Sequence, residues 1–249
     1  MEEIKIHWPD NDEVDQFLLK KKVLTFLEKS IQEHIKQYNE LEKLNDQGKL
    51  DFGHHVSSSE EAFQIFDRIK KRMTERYGLR MPTDPEIAVV SVKEQGLGRS
   101  EEDYGDRCIT MVMDRVIRFE TTLIHGYVHF IVEVLYGYLG FEYACVEEGL
   151  AMVVSEEMAE YLSEVHGDKA YRYDLVEDAL TNLWECYCWL AKELKHKKNT
   201  KLVKSYPFEE SHDERVGRKP DQYARGNSYF KVHDKMNGNH RLVDNYLQL

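Results

Sequence analysis

The stretch that decides the reading of this chain runs Leu123-Ile124-His125-Gly126-Tyr127-Val128-His129-Phe130-Ile131-Val132-Glu133-Val134-Leu135. Apolar residues at Ile117, Phe119, Leu123, Ile124, Val128, Phe130, Ile131, Val132, Val134 and Leu135 surround the implied helix on nearly all sides, so it belongs in a core. Asp114 is placed to cap its first turn, and Gly137 and Gly140 end it. Two imidazoles sit in its middle. Residues four apart stand above one another on one helix face, so His125 and His129 can reach the same metal ion. Buried without partners they would cost several kcal/mol in lost hydrogen bonding, and a shared ion satisfies both.

Eighteen residues separate His129 from Glu148, which lies in Val146-Glu147-Glu148-Gly149-Leu150-Ala151. The connection from Gly137 to Tyr143 is too short for anything but a nearby return, so the helix that opens near Cys145 must turn back against the first. Glu148 then supplies a third ligand from a second helix. Three protein ligands leave a fourth position open for water, which is the catalytic form of a zinc site. Two other carboxylates nearby are less well placed to act at the same metal. Glu133 is about 12 Å of helix rise from His125, and Glu147 adjoins Glu148 and points elsewhere.

Outward from this centre, Asn11 or Asp12 can cap a long amphipathic helix, open to a kink, that carries Val14, Phe17, Leu18, Val23, Leu24, Phe26, Leu27 and Ile31 and continues to about Leu44. Ser58 and Glu61 have capping-box spacing ahead of a second helix that ends near Tyr77, before Gly78, Pro82 and Pro85. Glu86 to Val92 and Cys108 to Met113 read as strands that pair, joined by a loop containing Gly96, Gly98 and Gly105. Beyond Glu148 the helix reaches about Leu162, and a longer one runs from Lys169 to Lys197. Its basic end, Lys192 to Lys204, is a solvated terminus favoured by the helix dipole. Short helices near Asp221 to Met236 and His240 to Leu247 close the chain. The expected fold class is α+β, predominantly α-helical, with a two- to four-stranded sheet packed on the histidine helix and the glutamate helix. Residues 1–80 form an N-terminal helical region and 81–249 the remaining core.

The 249 residues are 41% hydrophobic, enough for a core, and carry a formal charge of -12 that opposes nucleic acid and anionic membrane surfaces. No stretch reaches the roughly 18 apolar residues of a membrane helix. The first ten residues lack a cationic segment followed by an apolar one, so the expectation is a cytoplasmic protein. Cys108, Cys145, Cys186 and Cys188 have no zinc-knuckle spacing and read as reduced thiols. His54-His55 beside Gly53 read as solvent-exposed loop residues rather than ligands.

From Ile87 to Leu162 the chain resembles the catalytic core of gluzincin-type zinc metallopeptidases, which carry H-E-x-x-H on an active-site helix and a glutamate ligand, often followed by Gly-x-Ala, on a second helix. His125 and His129 match the histidine ligands, and Glu148-Gly149-Leu150-Ala151 matches the glutamate motif. The resemblance implies a zincin-like fold, a Zn2+ ion and a peptide or protein substrate, with an edge strand able to pair with an extended peptide. Tyr223-Ala224-Arg225-Gly226 resembles a Tyr-x-x-Gly helix of compact members, which makes Tyr223, Tyr229 and His233 candidates for stabilising an oxyanion.

The departure falls at Gly126, where the family places the general base. Glycine there also costs about 1 kcal/mol against alanine in a helix interior. Either the base was exchanged to disable an enzyme, or the chain is a natural pseudo-peptidase, or, third in order, a different carboxylate such as Glu147 takes the place of the base. The leading expectation is therefore a zinc metallopeptidase that is inactive or nearly so as written. The alternatives are a peptidase-like protein that binds a peptide or protein partner, and a helical protein with a chance histidine pair.

Overall fold

In the computed structural model, residues 6–79, 81, 83–90, 102–105, 108–112, 114–208, 219–237 and 242–247 are described. They are predominantly helical with one small sheet, in the order α1 (Asn11–Leu18), α2 (Lys21–Asp46), α3 (Ser59–Tyr77), β1 (Glu86–Val90), β2 (Glu102–Gly105), β3 (Cys108–Val112), α4 (Val116–Tyr136), α5 (Ala144–His166), α6 (Ala170–Glu193), α7 (Thr200–Ser205), α8 (Gln222–Asn237) and α9 (Leu242–Leu247). The α+β expectation holds at that level. Backbone contacts group the chain into two units, one of residues 1–43, 139–153 and 176–246, the other of residues 44–138, 154–175 and 247–249.

In the second unit, α4 is buried through Ile117, Phe119, Leu123, Ile124, Val128, Phe130, Ile131 and Val132, as its all-round apolar pattern requires. Its first turn is not capped by Asp114. The N-cap is Arg115, which makes no side-chain cap, and Asp114 instead accepts from the adjacent Arg115 N–H. The orphan donors go to the main chain of the preceding loop: Val116 N–H bonds His54 C=O at 2.9 Å, and Ile117 N–H bonds Phe52 C=O at 3.3 Å. Residues 52–56 lie alongside as a strip whose His55 bridges Arg115 in antiparallel fashion. A backbone partner has displaced the side-chain cap.

Ser58 caps α3 as its spacing predicts, accepting from Glu61 N–H at 3.2 Å. The return arm of the box is shifted by one residue, because Glu61 bonds the Ser57 N–H at 2.9 Å and also pairs with His54. Gly78 ends α3 in the left-handed region at φ 73°. The expected pairing of the two strands is present and parallel, in register from Glu86 opposite Cys108 to Val90 opposite Val112. Residues 91, 92 and 113, assigned to the strand ends from sequence, lie outside the described residues, as do Gly96 and Gly98. A third strand corrects the loop reading: β2 pairs antiparallel with β3, so the order is β1-β3-β2. Glu102-Asp103-Tyr104-Gly105 has little strand propensity, and only the ladder offered by β3 makes it a strand. Helix α3 packs against β1, and α4 against β3 and β2.

In the first unit, the single long N-terminal helix is two helices. Val14 and Leu18 are buried, but helical spacing would next bring Lys21 and Lys22 inward. The break at Leu19 and Lys20 lets the buried stripe restart at Val23, Leu27, Ile31 and Ile35. Asp10, not Asn11 or Asp12, caps α1, in a full capping box with Glu13. Asn11 is thereby released for a longer-range task described below. Helix α6 buries Val176, Ala179, Leu180, Leu183, Trp184, Tyr187 and Leu190, the face read from sequence. None of the four cysteines is in a disulfide, and burial pushes Cys145 up to about 11 and Cys186 to about 12. Among the described residues no helix is long and apolar enough to cross a membrane.

Candidate metal centre

The described residues contain one group of His, Cys, Asp or Glu side chains able to hold a metal ion, and it is the group singled out from sequence. His125, His129 and Glu148, each half-buried, offer donor atoms that all lie within 4.8 Å of one another. The two imidazoles meet through their Nε2 atoms at 3.2 Å, with ring planes inclined at 64°. Two nitrogens bound tetrahedrally to one ion at about 2.0–2.1 Å would stand about 3.3 Å apart, so the pair fits co-ligation. The donor set of two imidazoles and one carboxylate also suits a divalent transition ion. These residues can hold a metal.

Helix α4 fixes the histidines through its partners in α3 and α6. Glu120, only 5% exposed, accepts from Arg68 Nη2 at 3.0 Å and from Tyr171 Oη at 2.7 Å. Burial, with the Glu120 charge as the lesser cause, pushes the Tyr171 phenol far above its ordinary value, so it remains a donor. Tyr127, between the two histidines, points away from them in helical phase and is buried edge-on to Phe66, with ring centres 5.0 Å apart. Gly126 is itself buried and brings no carboxylate.

Glu148 is held by a different set of contacts. Asn11 of α1 grips the start of α5 in both senses: its Oδ1 accepts from Cys145 N–H at 2.9 Å and its Nδ2 donates to Phe141 C=O at 2.9 Å. This is an N-cap supplied by a residue 134 positions away. On another side, α8 crosses α5 with Gly149 against Gly226. A Cβ on Gly149 would lie 2.6 Å from the Gly226 carbonyl oxygen, and a Cβ on Gly226 would lie 2.7 Å from the Gly149 nitrogen and nearer still to the Cys145 carbonyl oxygen. The sequence reading named both glycines as motif letters without finding their contact. A pair of glycines on two helices is the signal that could have suggested it.

Of the three oxyanion candidates on α8, two come together. Tyr229 is 8% exposed, edge-on to Phe17 with ring centres 5.0 Å apart, and His233 lies 5.7 Å from it on the same face. Burial first, then the charges of Glu13 and Asp234, pushes the Tyr229 phenol up to about 12. Tyr223 is on a different face and 39% exposed. Asp15 ties α1 to this helix by accepting from Arg225 Nη1 at 2.8 Å and pairing with Lys219. His54 is exposed as expected, yet its pairing with Glu61 and its carbonyl bond to Val116 give it a structural task.

Compared with known proteins, the chain matches no family model, no curated protein and no solved structure.

Proposed function

We propose that His125, His129 and Glu148 hold zinc, and that the chain is a gluzincin-type, zincin-like metallopeptidase scaffold that lacks its general base. The observation that carries the reading is the convergence of these three donors, with the histidine nitrogens at 3.2 Å. Bound there, zinc supplies Lewis acidity toward a peptide carbonyl and toward water. The chain's own residues divide the remaining work. His125 and His129 bind through neutral nitrogens, and Glu148 contributes the negative charge that balances the ion. Tyr229, still protonated well above neutral pH, keeps an O–H to donate and is the residue assigned to the oxyanion in this reading. Gly126 can accept no proton. General acid–base work typically contributes roughly 10² to 10⁴ in rate, so hydrolysis of a peptide or protein substrate by this chain is expected to be slower by about that factor.

The same glycine favours a second reading, in which the site has been kept to bind a peptide or protein partner rather than to cut it. Two measurements decide. Elemental analysis of the purified protein should find about one zinc per chain, lost in His125→Ala. Absence of zinc, with none taken up on titration, would end both readings. Gly126→Glu should then raise peptidase turnover by two orders of magnitude or more. A zinc-loaded Gly126→Glu protein that remains inert would leave the binding reading.

A further inference from the structure

We propose that Gly226 and Asn11 are positioning residues that set Glu148 in place for the metal, an inference that rests on the ligand reading above. The turn of α5 that carries Glu148 runs from Cys145 to Gly149, closed by the helical bond from Gly149 N–H to Cys145 C=O. Both ends of that turn are held from outside the helix. Asn11 takes the Cys145 N–H at 2.9 Å. Gly226 lies directly on the closing bond, since a Cβ added there would meet the Cys145 carbonyl oxygen, the Gly149 nitrogen at 2.7 Å and the Gly149 Cα at 2.8 Å. These are backbone atoms, so no side-chain rotation can relieve the overlap.

The magnitude follows from contact distances. A carbon and a carbonyl oxygen normally keep about 3.3–3.6 Å apart, so any side chain at Gly226 must move this turn or α8 by more than about 1 Å. Metal sites tolerate about 0.2 Å in a ligand distance. At this crossing backbone meets backbone with no side chain between, whereas neighbouring helices ordinarily sit 8–10 Å apart with side chains between them. It leaves the Glu148 turn no room to shift toward α8. Helix α1 closes the arrangement by binding both partners, α5 through Asn11 and α8 through the Asp15–Arg225 ion pair at 2.8 Å. The N-terminal segment, outside the region of family resemblance, thus acts on the metal ligand.

The test is zinc and cobalt(II) affinity of the full chain, with the cobalt absorption spectrum as a readout of ligand geometry. Gly226→Ala and Asn11→Ala should each weaken affinity by about 10- to 100-fold and alter the cobalt spectrum, with helix content retained. Tyr187→Phe serves as the control. It removes hydrogen bonds to Glu28 and the Asn199 N–H in the same unit, and should lower thermal stability while leaving affinity and spectrum as in the parent chain. Should Gly226→Ala fail to fold, Asn11→Ala carries the test, because it leaves the helix crossing intact. Parent-like affinity and spectrum in a folded Gly226→Ala, or failing that in Asn11→Ala, would overturn the positioning role alone. A parent chain that takes up neither metal would overturn the ligand reading and this inference with it.

Discussion

Replacing Tyr171 by Phe removes a single oxygen, and the surroundings of that oxygen predict a larger effect than its size suggests. Tyr171 donates at 2.7 Å to one oxygen of Glu120, while Arg68 holds the other at 3.0 Å. The two donors differ in solvent. The Arg68 side chain is 56% exposed, whereas Tyr171 as a residue is 8% exposed and Glu120 5%. Removing Arg68 therefore opens a water path to its carboxylate oxygen, so the loss should stay near the roughly 0–1 kcal/mol of a pair that water can reach. Removing the Tyr171 hydroxyl leaves the inner oxygen enclosed and short of a donor, at a cost of about 1–3 kcal/mol. For a chain of this length about 2 kcal/mol lowers Tm by roughly 6 °C. Thermal unfolding of Tyr171→Phe, Arg68→Ala and the pair with Glu120→Gln measures both couplings as double-mutant cycles. The inner coupling should exceed the outer one. A larger loss in Arg68→Ala than in Tyr171→Phe would refute the reasoning, because burial would then not be what sets the strength of these bonds.

The loop that caps α4 offers a sharper contrast between two glycines. At Gly53, with φ 75°, an added Cβ overlaps Val116 Cγ1, so Gly53→Ala should combine left-handed strain with overpacking for about 2–4 kcal/mol. Gly48, at φ 62° with open space around its Cβ position, should cost about 1 kcal/mol as Ala, and equal losses at the two positions would refute the steric account. Hydrogen bonding from the Ser57 N–H first, and then from His54, holds the Glu61 carboxyl below its ordinary value of 4.5. A carboxylate lowered on folding adds stability that is present above about pH 4.5 and lost as pH falls through the lower folded value. Hydrogen-exchange protection at the start of α3, taken relative to the intrinsic exchange rate at each pH, should accordingly fall below about pH 4.5, and Glu61→Gln should remove that dependence. An acid limb that persists unchanged in Glu61→Gln would assign it to other groups.

Those elements whose causes are local were legible in the chain. The apolar girdle of α4, the Ser58 cap, the Gly78 stop and the strand pattern of β1 and β3 each act over a few residues, so their spacing is visible in one dimension. The histidine pair was legible for the same reason, because a separation of four on a helix already fixes two side chains on one face. Glu148 required one further step, the short connection that forces a return. Elements whose causes lie elsewhere in the chain were not legible. Strand β2 exists through the ladder of β3, and the N-terminus of α4 is satisfied by the backbone of residues 52–56. The break between α1 and α2 follows from which stripe the core accepts.

The same division runs through the candidate site. By itself the sequence determined which three residues could hold a metal ion and that a glycine follows the first histidine, since those depend on residue type and short spacing. Only the tertiary structure decided how these residues are held: a clamp on the Glu120 carboxylate from α3 and α6 onto α4, an asparagine capping a helix 134 residues away, and two glycines that bring α8 onto the turn carrying Glu148. These contacts join positions distant in the chain, and no local spacing encodes a bond whose partners meet only after the core has formed.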